Sequence, residues 1–210
     1  MGINLQKGQK IDLTKGGSGL SRIMVGLGWD EAQQPPQQSG GLLGLFKSQP
    51  EVKQDIDCDA SAILLNANGK LYGTDANDCV VYFGNLTHSS GAIVHQGDNL
   101  TGEGEGDDEQ IMVNLSMVPS DVDKIVFVVN IYDANVRNQH FGMIQNAFIR
   151  LVDLSNNSEI CRFNLSENYS GMTGMVVGEI YRRNGEWKFN AIGQPVKEAS
   201  RLESLLNLYV

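Results

Sequence analysis

The chain has 210 residues, which is long enough for one domain with a sizeable core or for two small domains. Hydrophobic residues make up 41% of it and charged residues 20%, so a wholly disordered protein is excluded. The 16 Lys and Arg residues form no basic run and stand against 25 Asp and Glu residues. The resulting net charge of -9 argues against nucleic-acid binding.

Short segments rich in Val, Ile and aromatic residues recur along the chain, separated by clusters of Gly, Asn, Asp and Ser. Such segments predict β-strands, and the dipeptides Asn68-Gly69 and Asn184-Gly185 predict tight turns between them. About ten short strands with few helical intervals favour an all-β fold, a β-sandwich of two antiparallel sheets. The predicted strands are residues 3–13, 22–27, 60–65, 79–83, 110–115, 124–132, 147–154, 159–165, 172–181 and 187–192.

One segment between the early strands differs from the rest in composition. Residues 32–53 contain Gln, Pro, Ser and Gly around a small apolar island, Leu42, Leu43, Leu45 and Phe46. This composition is typical of a flexible insertion. The island either folds back on the body of the domain or contacts a membrane surface or a partner protein.

The C-terminal segment has the clearest helical pattern in the sequence. Ala199, Leu202, Leu205, Leu206 and Tyr209 recur at spacings of three and four, which predicts an amphipathic helix over residues 196–210. We therefore divide the chain into a sandwich domain over residues 1–195 and this helix. We expect the helix to cap the sandwich, and a docking helix for a partner is the alternative.

The cysteines and the N-terminus indicate a cellular compartment. Cys58, Cys79 and Cys161 are odd in number and widely spaced, which argues against a disulfide framework and favours a reducing compartment. The N-terminal residues contain no apolar signal segment, and no run of 18 apolar residues occurs. These features predict a cytoplasmic protein with no transmembrane segment.

Acidic residues cluster at three places in the sequence, 55–59, 75–78 and 98–109. The last of these, the acidic segment, reads DNLTGEGEGDDE and holds six acids, interleaved with glycines and with the neutral oxygen donors Asn99 and Thr101. A solvated acidic loop is the ordinary interpretation of such a run. However, glycine lets the backbone turn its carbonyls inward, and hard cations such as calcium bind six to eight oxygen ligands, so we favour a cation site.

The chemistry of these clusters favours calcium over other metals. No Cys or His is interleaved in the acidic segment, which argues against zinc or copper, and magnesium prefers fewer protein ligands. The spacing does not fit an EF-hand, because Leu100 and Gly102 fall where that loop needs oxygen ligands. In an extended segment, Asp55, Asp57 and Asp59 would share one face, and we expect Asp57 and Asp59 to meet the acidic segment.

The sequence resembles the TerD-type tellurium-resistance and stress proteins. The resemblance is carried by GDNLTGEGEGDDE at residues 97–109, GLGWD at 26–30, DCDAS at 57–61 and LLNANGK at 64–70. It continues through VPSDVDKIVFVV at 118–129, FGMIQNAFIRLVD at 141–153 and GEIYRRNGEWKFNAIGQ at 178–194. It implies a two-sheet β-sandwich that binds calcium at its acidic loops, and a role in bacterial tolerance of tellurite and other stresses.

The same resemblance implies the metal ligands and the partners. We expect two calcium ions, partner proteins of a tellurium-resistance or stress complex, and peripheral association at the inner face of the membrane. Asp30 is a weaker candidate ligand. The implied ligands are Asp57, Asp59, Asp98, Asn99, Thr101, Glu103, Asp107, Asp108 and Glu109.

No catalytic signature is recognisable in the sequence. His88, His95 and His140 belong to no Ser/His or Cys/His motif, and the flanking acids would raise the pKa of Cys58 and weaken it as a nucleophile. The leading hypothesis is therefore a non-enzymatic calcium-binding module that presents a calcium-ordered surface to partner proteins. A hydrolase that uses carboxylate-held ions, and a scaffold that calcium only stabilises, are the alternatives.

Overall fold

The computed structural model describes residues 2–14, 19–32, 55–97, 106–165 and 167–210. Within these residues twelve strands form two six-stranded sheets. Sheet I contains, in spatial order, β1 (Ile3–Leu5), β10 (Ser158–Asn164), β9 (Ile144–Asp153), β3 (Arg22–Glu31), β7 (Glu109–Asn114) and β6 (Ile93–His95). Sheet II contains β2 (Lys10–Asp12), β12 (Glu186–Val196), β11 (Gly174–Arg183), β8 (Lys124–Ile131), β4 (Cys58–Leu65) and β5 (Val80–Val81).

The main core lies between the two sheets. In β7 the buried residues alternate with half-buried ones, because only one face of that strand points to the core. Large side chains from both sheets fill the space between them, including Leu27, Ile111 and Leu151 from sheet I and Phe127 and Phe189 from sheet II. This arrangement confirms the predicted all-β sandwich.

A second apolar cluster covers the outer face of sheet II. Here α3 (Leu202–Leu206) packs Leu205 against outward-facing residues such as Ile63, Val126 and Val176. The central strands β4 and β8 are therefore buried on both faces, which explains their nearly continuous apolar sequences. Two further helices are short, α1 (Ala76–Cys79) and α2 (Ala134–Arg137).

The structure differs from the sequence-based expectations at several places. β6 was not expected, and the predicted strand over residues 79–83 is reduced to β5 because residue 79 ends α1. The predicted strand over residues 3–13 is two strands in different sheets, because Gly8 turns the chain with a φ of 80°. β1 also pairs with β10 in parallel, whereas the expected sheets were purely antiparallel. The C-terminal helix begins at Leu202 rather than at residue 196, because Val196 still pairs with Gly174 in sheet II.

The predicted turn at Asn184-Gly185 is confirmed, with φ values of 54° and 77° between β11 and β12. Most of the predicted insertion, residues 33–53, lies outside the described residues. Within the part of the chain that the structure describes, no helix combines the length and the apolar composition needed to cross a bilayer.

Candidate metal centre

Asp57 and Asp59 lie where β4 begins, next to the strand β8 in sheet II. Asp59 is directly opposite Asn130 in the register of the two strands, and Nδ2 of Asn130 donates to Oδ2 of Asp59 over 3.2 Å. Both acids are buried, with exposed fractions of 9% and 6%. Asp57 and Asp59 point to the same side of the strand as Ile63, which is the outer face of sheet II. This face is therefore polar near Asp57 and Asp59 and apolar further along β4, where α3 covers it.

α2 lies beside Asp57. The backbone N–H of Tyr132 donates to the carbonyl oxygen of Asp57 over 2.8 Å, which extends the pairing of β8 and β4 past the last strand residues. Nη1 of Arg137 lies 3.8 Å from Oδ2 of Asp57, and its guanidinium stacks over the ring of Tyr132 at 5.1 Å. Asp57 therefore already has one cationic neighbour, held by an aromatic ring.

Two neutral oxygens lie close to these carboxylates. Oδ1 of Asn130 and Oγ of Ser61 are buried and have no hydrogen-bond partner among the described residues. Ser61 is two residues beyond Asp59 in β4, so it shares that face of the sheet. Buried polar atoms are normally satisfied, so two such oxygens beside two buried carboxylates fit a site for a hard cation.

Glu109 brings the acidic segment to this strand from the other sheet. It is the first residue of β7 and only 1% exposed, and its Oε2 accepts a hydrogen bond from the backbone N–H of Ala60 over 2.7 Å. Nε2 of His95, on the neighbouring strand β6, lies 3.3 Å from the same oxygen. The sandwich is thus joined across its edge by a buried carboxylate.

Asp108 is attached to the end of β3. Its backbone N–H donates to the carbonyl oxygen of Leu27 over 2.8 Å, and its Oδ2 accepts from the backbone N–H of Trp29 over 2.7 Å. Burial raises the pKa of this carboxyl, and the like charges of Asp30 and Asp107 raise it further, although the Trp29 hydrogen bond opposes them. A nearby cation would stabilise the ionised carboxylate and so offset the effects of burial and repulsion on its pKa.

Asp107 points elsewhere, onto the outer face of sheet I. Its two carboxylate oxygens accept from Nε and Nη2 of Arg150 in β9, over 2.7 and 2.9 Å. The hydrogen bonds to Asp107 are the main reason that the pKa of Arg150 is raised. Gly26 lies beneath this pair, because a Cβ atom there would be only 2.3 Å from Cγ of Asp107.

Cys58 lies between Asp57 and Asp59 in a buried, strongly acidic environment. Burial raises the pKa of its thiol well above the ordinary value, and Asp59, Glu109, Asp57 and Asp108 each raise it further. The expected weak nucleophilicity of this cysteine agrees with that environment. The acidic segment reaches the strand that carries Asp59 through the hydrogen bond from Ala60 to Glu109, and a direct meeting of its carboxylates with those of Asp57 and Asp59 stays a prediction.

The remaining predicted ligands have a different placement. Asp98, Asn99, Thr101 and Glu103 lie outside the described residues, and Asp30 is bonded to the side-chain amide of Asn146 over 2.7 Å. Gly97 and Gly106 flank the undescribed stretch with φ values of 115° and 120°, a conformation that side chains disfavour. Among the described residues, no group of three or more His, Cys, Asp or Glu side chains is arranged as a metal site.

Several residues that shape this region carry no local signal in the sequence. Asn130, Arg137 and Arg150 are separated from the acids they contact by tens of residues, and no local pattern marks them. The alternation of glycines in GLGWD is a signal that could have been used. Gly26 and Gly28 alternate with Val25 and Leu27, whose side chains point to the core. Glycine at alternate positions indicates that another segment of backbone packs closely on the outer face of β3.

Comparison with known proteins places the chain in one family. The model of the TerD domain matches residues 1–209. The chain is 54% identical to the stress response protein SCP2 of Bacillus subtilis (strain 168), covering 100% of both chains. It is 45% identical to the tellurium resistance protein TerD of Serratia marcescens, covering 92% of this chain and 91% of that protein.

A solved structure supports the fold independently. A homologue of telluride resistance protein (TerD) from Streptomyces coelicolor A3(2) superposes with a TM-score of 0.59, covering 86% of this chain and 92% of that one. The two sequences are 20% identical, so this similarity concerns the fold alone.

Proposed function

The chain belongs to the TerD domain family of tellurium-resistance and stress-response proteins, and we propose that it is a non-enzymatic, calcium-binding module of the bacterial stress response. In this proposal calcium binds between the start of β4 and the acidic segment, and the ordered surface then binds partner proteins.

The observation that carries this proposal is the hydrogen bond from Ala60 to Glu109, 2.7 Å long. It holds the end of the acidic segment against the strand that carries Asp59. The buried carboxylates of Asp57 and Asp59 would then supply oxygen ligands, as would Asp108 and Glu109 from the facing chain. Asp98, Asn99, Thr101 and Glu103 remain proposed ligands on the basis of the sequence.

The local chemistry supports calcium over a softer metal. Cys58 is the nearest thiol, and its raised pKa keeps it protonated, so it is a poor ligand for zinc or copper. The available oxygens are carboxylates, the amide oxygen of Asn130 and the hydroxyl of Ser61. Calcium accepts such a mixed, irregular set more readily than magnesium, which requires near-octahedral geometry and keeps several waters.

The proposed partner surface surrounds the same end of the sandwich. Tyr132, next to Asp57, is 41% exposed, Val136 in α2 is 79% exposed, and Phe83, which follows the edge strand β5, is 44% exposed. Exposed aromatic and aliphatic residues beside a charged site are typical of protein interfaces. Calcium would neutralise the clustered acids and fix the loops that carry them, so that partner binding depends on calcium.

A calorimetric titration tests the proposal. Protein stripped with a chelator is titrated with calcium in the presence of excess magnesium, and its melting temperature is measured with and without calcium. Saturable binding that raises the melting temperature supports a dedicated site. Flat heats and unchanged melting would refute it.

The partner role needs a second experiment. Immobilised protein is incubated with extract of the native bacterium in calcium and in chelator, with an Asp59→Asn variant as the control. Partners retained only by the wild-type protein in calcium support a regulated surface. Partner binding that ignores calcium would instead indicate a scaffold that calcium only stabilises.

A further inference from the structure

We infer that Arg150 is a positioning residue for the proposed calcium site, and that Asp107 serves as its anchor rather than as a metal ligand. The inference rests on the proposed function. In this role Arg150 fixes the C-terminal end of the acidic segment on sheet I, so that Asp108 reaches the backbone of Trp29 and Glu109 reaches the backbone of Ala60 next to Asp59.

The contact between the two residues is a two-pronged ion pair. Both oxygens of Asp107 are engaged by one guanidinium, at 2.7 and 2.9 Å, and the Asp107 side chain is only 1% exposed. Paired, charge-assisted bonds of this kind are stronger and more directional than single ones. A calcium ion that used this carboxylate would have to displace Arg150 and leave its charge half-buried.

The outer face of sheet I provides a flat surface under the pair. A Cβ atom at Gly28 would lie 2.7 Å from the carbonyl oxygen of Gly106, just as one at Gly26 would collide with Asp107. The chain at Gly106 and Asp107 therefore lies directly on β3, where only glycine leaves room. The close approach and the ion pair both hold Asp107 on this face, because Gly26 lies directly opposite Arg150 in the pairing of β3 and β9.

The three consecutive acids of this segment each bind a different strand. Asp107 faces Arg150 on β9, Asp108 is bonded to Trp29 at the end of β3, and Glu109 is bonded to Ala60 on β4. Adjacent residues share backbone bonds, so a shift of Asp107 moves the next two carboxylates. Residues that orient ligands without touching the metal typically change metal affinity by about 10- to 100-fold.

Arg162 is a matched control for Arg150. It lies directly opposite Arg150 in the pairing of β10 and β9, and both arginines approach Oε2 of Glu159, at 3.5 and 3.4 Å. The guanidinium of Arg162 stacks over Phe148 at 3.8 Å, whereas that of Arg150 is bonded to Asp107. Substituting either arginine with Gln changes the net charge by the same amount.

The experiment measures calcium affinity by calorimetry for R150Q, D107N, the double variant and R162Q. R150Q and D107N should each weaken calcium binding by at least about tenfold. The double variant should bind no more weakly than either single variant, because both substitutions remove the same ion pair. R162Q should bind as the wild type does. If R150Q fails to fold, two further variants replace it. R150K keeps the positive charge but loses the paired hydrogen bonds, and G26A displaces Asp107 by steric contact.

Opposite results would overturn the inference. If Asp107 were a ligand that Arg150 competes for, D107N would weaken binding whereas R150Q would leave it unchanged or tighten it. Equal affinities for R150Q and R162Q would also refute the positioning role.

A second arm separates this inference from the proposed function. The same variants are digested in chelator with a Glu-specific protease, and cleavage after Glu109 is followed by mass spectrometry. R150Q should be cleaved about tenfold faster than R162Q, the ratio for a local opening made easier by about 1.4 kcal/mol. A wild-type protein that binds no calcium refutes the proposed function, and equal cleavage of the two variants refutes the anchor.

Discussion

Ala60 and Glu109 belong to different sheets, yet the backbone N–H of the first lies 2.7 Å from a carboxylate oxygen of the second. Both residues are 1% exposed, and their strands, β4 and β7, do not pair with each other. The hydrogen bond closes the edge of the sandwich at the end of the acidic segment. The position of the proposed calcium site depends on it.

Replacing Glu109 tests the energetic weight of this bond. Glu109→Ala leaves the buried N–H of Ala60 without its acceptor and should lower the free energy of unfolding by about 3 kcal/mol, measured by urea denaturation in chelator. Glu109→Gln keeps an acceptor oxygen and should cost about 1 kcal/mol. Equal losses for the two variants would show that the charge, and not the hydrogen bond, holds the edge together.

Replacing Asp59 tests the metal site itself. Asp59→Asn keeps the shape and an acceptor for Asn130, but it removes one of the four carboxylates whose charges raise the pKa of Cys58. We expect calcium affinity to fall by at least about 100-fold, because a ligand is lost. In chelator the variant should melt no lower than the wild type, because repulsion among buried acids is relieved.

Asp55→Asn is the control for that experiment. Asp55 is exposed and lies four residues earlier in the same acidic cluster. It should bind calcium as the wild type does. If Asp55→Asn and Asp59→Asn weaken binding equally, calcium is attracted by the general negative charge and not held by a defined site.

The strands could be predicted because their sequences carry local information. Residues 124–132 were predicted as a strand from a run of Val, Ile and aromatic residues, and β8 extends from Lys124 to Ile131. The alternation of Asp57 and Asp59 likewise predicts that both acids share one face of an extended segment, and they lie where β4 begins, two residues earlier than the predicted strand. The C-terminal helix was predicted too long, because the backbone pairing of Val196 with Gly174 overrides a helical side-chain pattern.

The partners of the acids could not be predicted, because they come from register and topology. Asn130 faces Asp59 only after β8 and β4 align, and Arg150 reaches Asp107 only because β9 lies next to β3. These contacts join residues 71 and 43 positions apart. The resemblance to a known family implied that the acids belong together, but it could not say that Asp107 is bonded to an arginine.

Cys161 predicts how stability depends on alkaline pH. Burial is the main cause that raises the pKa of its thiol from 9.0 to about 12. The folded state therefore favours the neutral thiol, and its contribution to stability is complete below pH 9 and lost as the pH rises towards 12. One such thiol adds a slope of about 1.4 kcal/mol per pH unit within that window.

Cys161→Ala should remove this part of the slope. The free energy of unfolding of the wild type and the variant is measured between pH 8 and about pH 11, and the difference between them should shrink as the pH rises. A constant difference across the whole range would contradict the assignment. The value at pH 8 gives the packing cost of the substitution separately.

Leu205 tests the packing of α3 on sheet II. Its side chain is fully buried in the outer cluster, so Leu205→Ala should lower the free energy of unfolding by about 3 kcal/mol. Leu208, in the turn that follows, is 48% exposed, and Leu208→Ala should cost less than about 0.5 kcal/mol. Calcium affinity should be unchanged in both, and a loss in Leu205→Ala would mean that the helix and the acidic end are coupled.

Terbium luminescence gives the most direct test that the metal binds at this end of the molecule. Terbium replaces calcium at oxygen-rich sites and emits when a nearby tryptophan transfers excitation energy to it. Trp29 is bonded through its backbone to Asp108, whereas Trp187, the second tryptophan, lies on β12 and packs against Arg182. Trp29→Phe and Trp187→Phe therefore distinguish the two positions.

With excitation at the long-wavelength edge of tryptophan absorption, where Tyr132 beside Asp57 does not absorb, we expect sensitised terbium emission that calcium displaces, that Trp29→Phe abolishes and that Trp187→Phe leaves intact. Calorimetry should show that Trp29→Phe still binds calcium. Emission that is absent, that calcium fails to displace, or that depends on Trp187 would contradict a calcium site between Asp59 and Glu109.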